Sequence, residues 1–236
     1  MAKLLQSTVQ HYPRSCITDI ELAELLGSTT ENSRYSKVKR LLAQKKLLHM
    51  RRGLYCLTSM IGYPHKPSLS ELAQYIYGPS YISLESALSF HGLIPEAVYT
   101  TTSVTIKRAT EFYTPLGVFS YAHLPTENFY TGVDLIKDQA NGNGNGNGNG
   151  NGNGNGYKFF MAKPWKAICD YVFHYKKDWN SFKPLLGSLR ISYEDLPVLN
   201  SEETLLLDEY YRSSRISRFL KGIQLAYRSG GEEYGC

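Results

Sequence analysis

Eight consecutive Asn-Gly pairs, residues 141–156, constrain this chain more than any other feature. One Asn-Gly between two strands is a type I′ hairpin turn, because both residues accept positive φ; eight in a row cannot be eight turns. The tract has no charge and nothing to bury, which predicts a flexible loop. A segment of this length has an r.m.s. span of roughly 20–24 Å, enough to join neighbouring strands. The folded parts of the chain must therefore lie on either side of it, and the tract reads as an expanded hairpin loop.

Residues 1–60 read as helices followed by a hairpin. Ile17 to Leu26 is predicted to be a short amphipathic helix, with Thr18 and Glu21 spaced as a capping box and Gly27 as its stop. Glu31 to Gln44 is a second helix, with Tyr35, Val38, Leu41 and Leu42 on its apolar face. Leu47 to Met50 and Leu54 to Leu57 read as strands around Arg51-Arg52-Gly53, where Gly53 supplies the positive φ of a tight turn. Two helices joined by a turn and followed by a hairpin make a winged helix-turn-helix. Residues 61–236 read as a larger α+β domain. It has helices over Ser68–Tyr77 and Ser83–His91, and strands over Thr100–Lys107, Glu111–Tyr113, Val118–Leu124, Tyr130–Ile136 and Tyr157–Ala162. A helix follows from Pro164 to Lys176, and the C-terminal part is helical, with acids at Glu202, Glu203, Asp208 and Glu209 and bases at Arg212, Arg215, Arg218, Lys221 and Arg228. Acids first and bases last complement a helix dipole. The fold class is α+β.

Charge is unevenly spread. Residues 1–60 hold ten Lys/Arg against four Asp/Glu, more than the whole chain's net +5. A concentrated basic patch is the electrostatic footprint of a nucleic-acid-binding surface; it also suits an acidic protein partner, the alternative reading. On the second helix the face opposite Tyr35, Val38 and Leu41 is expected to offer Ser33, Arg34, Ser36, Lys37 and Arg40, with Asn32 at the helix start. Arg suits guanine, Asn adenine, and Lys or Ser phosphate. Arg34 and Lys37 are expected on the recognition face, while Arg51 and Arg52, at the wing tip, meet the flanking backbone or minor groove. The bland reading of such a face is solvated charge. What favours DNA is the second cationic element, the hairpin, a few residues downstream.

Other classes are disfavoured. No run of about 18 apolar residues is present, so no membrane span is expected, and the polar start does not read as a signal peptide. Cys16, Cys56, Cys169 and Cys236 lie far apart, which predicts reduced thiols in a cytosolic protein and no zinc site. No histidine pairs with another ligand at metal spacing. Gly187-Ser188 with Glu194-Asp195 lacks the Asp-x-Asp alternation a two-metal site needs. The expectation is a non-enzyme with no cofactor and no metal.

Beyond the hairpin the chain resembles the AbiEi-type antitoxins, transcriptional regulators of abortive-infection (type IV) toxin–antitoxin systems. The residues that carry the resemblance are Arg52-Gly53-Leu54-Tyr55, then Tyr81 to Leu88 with Ser83, Glu85 and Ser86, and His91 to Glu96. The strands around Ser103-Val104-Thr105 and Gly117 to Tyr121 follow, then Pro164-Trp165-Lys166-Ala167-Ile168-Cys169-Asp170. The last is similar to the family's Pro-Glu-Lys-Ala-Leu-Leu-Asp, with Trp165 in place of the acid. The resemblance implies that the winged helix binds the operon's own promoter and that the larger domain opposes a nucleotidyltransferase-like toxin. It assigns no role to Ser83, Glu85, Ser86, Pro164, Lys166 or Asp170.

Overall fold

A computed structural model describes residues 16–27, 30–58, 68–124, 128–138 and 157–228. The Asn-Gly tract 141–156, the expected connection 61–67 and Cys236 lie outside the described residues. The chain opens with β1 (Cys16–Thr18), α1 (Asp19–Leu25), α2 (Glu31–Ala43), β2 (Leu47–Arg51) and β3 (Leu54–Leu57). Then come α3 (Leu69–Ile76), β4 (Ser80–Ile82), α4 (Leu84–Phe90), β5 (Thr100–Thr105), β6 (Thr110–Thr114), β7 (Gly117–His123), β8 (Val133–Asp138) and β9 (Tyr157–Ala162). The C-terminal part is α5 (Pro164–His174), α6 (Phe182–Leu189), α7 (Ser201–Tyr211) and α8 (Ser214–Arg228). Helices and two sheets are mixed along the chain, so the class is α+β.

The N-terminal elements form an antiparallel sheet in the order β1-β3-β2. Ile17 belongs to β1, not to a helix as expected, because its side chain is needed in the sheet: it is 1% exposed. The helix begins only at Asp19, and its capping box forms as spaced, with Thr18 accepting from the Glu21 N–H and Glu21 accepting from the Thr18 N–H. Gly27, at φ +75, ends the segment in the left-handed region that favours glycine. Strand alternation gives this sheet two buried faces. Ile17, Leu47 and Leu57 pack with Leu22 and Val38 under the helices, whereas Cys16, Met50, Leu54 and Cys56 join the core of the larger part.

The larger sheet has six strands in the order β6-β7-β5-β4-β9-β8, with β5–β7 and β4–β9 parallel and the rest antiparallel. Its central strand β5 reads Thr-Thr-Thr-Ser-Val-Thr, an unusual sequence for a strand buried on both faces. Hydroxyl bonds make that burial tolerable: Thr102 Oγ1 donates to Ser83 C=O at 2.7 Å and Thr105 Oγ1 to Pro79 C=O at 2.8 Å. At the C-terminus the expected acid-to-base helix is two helices. Arg212, at φ 44, ends α7 in a left-handed cap, so the acids lie on α7 and the bases from Arg215 onward on α8. Gly222 lets α8 approach the loop between α5 and α6, since a Cβ there would stand 1.7 Å from the Asn180 carbonyl oxygen. No helix among the described residues is long and apolar enough to cross a membrane.

Candidate nucleic-acid interface

Helix α2 is capped by Thr30, whose side chain accepts from the Ser33 N–H. Its buried stripe is set by Val38, with Leu41 and Leu42 partly buried beside it. Arg34 and Lys37 fall on the flank of that stripe. Arg34 ion-pairs with Glu31 at 3.9 Å, and Lys37 Nζ donates to the Leu26 carbonyl at 3.4 Å. The expected recognition face is therefore rotated. Tyr35 was placed among the core residues but is 71% exposed, because its hydroxyl end tolerates water and the three aliphatic residues suffice to seat the helix. The outward face carries Asn32, Tyr35, Ser36, Lys39 and Arg40, with Ser33 half-buried at its border, and exposed Lys45 and Lys46 follow. Lys39, Lys45 and Lys46 were not singled out from the sequence, although a face drawn around Val38 alone would have included Lys39.

The hairpin turn is the pair Arg52-Gly53, with Gly53 at φ +74. Its tip is tied to the start of α1, as the Asp19 N–H donates to the Gly53 carbonyl at 3.0 Å. Only Arg52 of the two arginines projects into solvent. Arg51, expected beside it at the tip, is half-buried: its Nη1 donates to the Arg52 carbonyl, and its charge acts on Cys16 and Tyr121, at the larger core. The β2 edge lies against β6 there, which turns Arg51 inward. Tyr55 of β3 links the hairpin to α1: burial first, then the neighbouring Asp19 carboxylate, raises its phenol above the ordinary value. Among the described residues Lys39, Arg40, Lys45, Lys46 and Arg52 form no ion pair. A surface with this many uncompensated cations lowers the free energy of a polyanion laid on it.

The residues of the Pro164–Asp170 motif are in a different setting. Lys166 and Asp170, one turn apart on α5, are 0% and 1% exposed. Lys166 Nζ meets Asp170 Oδ1 at 2.5 Å, Tyr81 Oη at 2.7 Å and Tyr211 Oη at 2.9 Å. Ser83 Oγ donates to Asp170 Oδ2 at 2.6 Å, and the ammonium lies over the rings of Tyr81, Tyr210 and Tyr211. Burial pulls the lysine below its usual pKa while Asp170 pushes it up; burial and then the Asp170 charge raise Tyr81 and Tyr211 well above theirs. The cluster joins β4, α5 and α7. Its polar atoms are taken by one another, an arrangement that ties these three elements together.

The other motif residues brace the same junction. Pro164 opens α5 at its first turn. Ser86 accepts from the Thr102 N–H at 2.8 Å and donates to the Thr100 carbonyl at 3.2 Å, and Glu85 accepts from Tyr175 Oη at 2.7 Å. The structure thus gathers Ser83, Lys166 and Asp170 in one cluster beside β4, and sets Ser86 against β5. No group of three or more His, Cys, Asp or Glu among the described residues is arranged to hold a metal ion. A scan against family models and a search of curated proteins return no match for this chain.

Proposed function

We propose that the N-terminal elements are a winged helix that binds duplex DNA, with α2 in the major groove and the Arg52-Gly53 turn against the flanking backbone. The observation that carries the reading is the outward face of α2, where Asn32, Ser36, Lys39 and Arg40 are exposed and neither cation forms an ion pair among the described residues. The order β1-α1-α2-β2-β3, with β3 paired to both β1 and β2, supports it, since two helices joined by a turn precede a hairpin. Lys39, Arg40 and Arg52 neutralise phosphate; Asn32 and Arg40 have the donors to read base edges. On this reading the chain is a repressor of its own promoter. By its resemblance to the AbiEi-type antitoxins, the larger domain opposes a nucleotidyltransferase-like toxin. Footprinting the purified chain on the DNA upstream of its own gene tests the first role: a protected site lost in Lys39→Ala/Arg40→Ala is expected, and no protection would overturn it. Rescue of cells expressing a neighbouring nucleotidyltransferase-like gene tests the second role separately.

A further inference from the structure

Two thiols far apart in the chain face each other across the N-terminal sheet. Cys16 of β1 and Cys56 of β3 are direct cross-strand partners. Hydrogen-bonded and non-hydrogen-bonded pairs alternate along an antiparallel ladder. The Asp19 N–H donates to the Gly53 carbonyl in the same register, so Ile17–Tyr55 is a hydrogen-bonded pair and Cys16–Cys56 is not. In such a pair the Cα atoms stand about 4.5 Å apart with their side chains on one face, inside the range of roughly 4.4–6.8 Å that a disulfide spans. Burial agrees: Cys16 and Cys56 are 4% and 0% exposed in one core, while Ile17 sits in the other. Neither is in a disulfide, and the two thiols are hydrogen-bonded to each other.

We propose that Cys16 and Cys56 are a reversible modification site, oxidised by a small-molecule disulfide to a cross-strand bond that clamps β1 onto β3. Among the described residues β1 is a three-residue strand paired with β3 alone, so a covalent tie at its first residue changes how readily it detaches. In the first step a Cys56 thiolate attacks one sulfur of the small disulfide, forming a mixed disulfide and releasing one small thiolate. In the second, a Cys16 thiolate attacks Cys56 Sγ and expels the other. Two electrons pass from the cysteines to the small disulfide, and the two protons end on the released thiols. Cys56 is suited to attack first, because the hydrogen bond from Cys16 lowers its pKa. Since both sulfurs lie between the small sheet and the larger core, reaction proceeds through local opening of β1.

This inference does not depend on DNA binding. The test incubates the full chain with mixtures of reduced and oxidised glutathione, quenches with acid, alkylates in denaturant and maps the peptides by mass. The expected product is a Cys16–Cys56 link with a loss of about 2 Da, reversed by dithiothreitol, and a thiol titre falling from the four cysteines of the sequence by two. In the oxidised form hydrogen exchange at the Ile17 amide should slow by about tenfold or more. Cys16→Ser should abolish the link and leave Cys56 as a mixed disulfide with glutathione. The proposal is overturned if both cysteines remain fully alkylated across the series, if each stops at a glutathione adduct in the unaltered chain, or if either links only to Cys169 or Cys236.

Discussion

Lys39 on α2 and Lys166 on α5 are the same residue in opposite surroundings. Lys39 is exposed and forms no ion pair among the described residues, whereas Lys166 is fully buried and held by a carboxylate and two phenols. Moving an ammonium from water into a core is costly unless its partner and hydrogen bonds come with it. Lys166 therefore contributes by admitting one packing of β4, α5 and α7. Lys39 keeps its hydration at the surface, and on the proposed reading it contributes to binding when a duplex arrives. The difference teaches that a cation's neighbours, more than its place in a motif, decide whether it serves the fold or an encounter.

The largest effect should come from breaking the buried pair. Lys166→Ala leaves the Asp170 carboxyl buried among Tyr81, Ser83 and Tyr211 without its ammonium partner, and urea unfolding should register a loss of about 3–5 kcal/mol. Lys166→Met with Asp170→Leu removes both charges and should be less destabilised than either single change. If Lys166→Ala melts like the unaltered chain, the lock is not there. Next comes the exposed face: Lys39→Ala/Arg40→Ala should weaken duplex binding by about tenfold or more near 0.1 M salt, with the unfolding midpoint unchanged. That pair of readouts is the reverse of the one expected for Lys166.

Smaller effects sharpen the contrast within α2 itself. Arg34→Ala/Lys37→Ala removes cations already engaged by Glu31 and the Leu26 carbonyl, so titrations should record a loss well below that of the Lys39/Arg40 variant. Equal losses would mean that DNA approaches the helix from its flank. The smallest effect concerns the exposed Arg190–Glu96 pair, where the hydrogen bond from Arg190 lowers the carboxyl below its ordinary 4.5. A depressed folded pKa gives stability that is present above the unfolded value and lost as pH falls through the folded one. Melting temperatures from about pH 6 to pH 3 should therefore fall slightly less in Glu96→Gln than in the unaltered chain.

Local chemistry made part of this legible in the sequence. The Thr18–Glu21 box, the Gly27 stop, the Gly53 turn and strand β9 depend on residues a few positions apart, and each forms where its spacing indicates. β1, β4 and α6 were not foreseen. A three-residue strand such as Ser80–Ile82 has too little pattern to read, and its burial comes from β5 and β9, distant in the chain. The phase of α2 differs from the one its periodicity suggests, because the exposed Tyr35 counts as apolar in that periodicity. At the buried site, the Lys166–Asp170 spacing permits an ion pair. Nothing local says that it is sealed, because Tyr81 and Tyr211 arrive from 85 and 45 positions away.

The central claim is that the outward face of α2 is a DNA surface, and the most direct test is the salt dependence of binding to duplex from upstream of the gene. Neutralising four to six phosphates gives a slope of roughly −4 to −5 in log K against log salt. Fluorescence anisotropy on the full chain should give that slope, and Lys39→Ala/Arg40→Ala should flatten it by about two. A slope near zero, or one that both alanines leave untouched, would contradict the assignment.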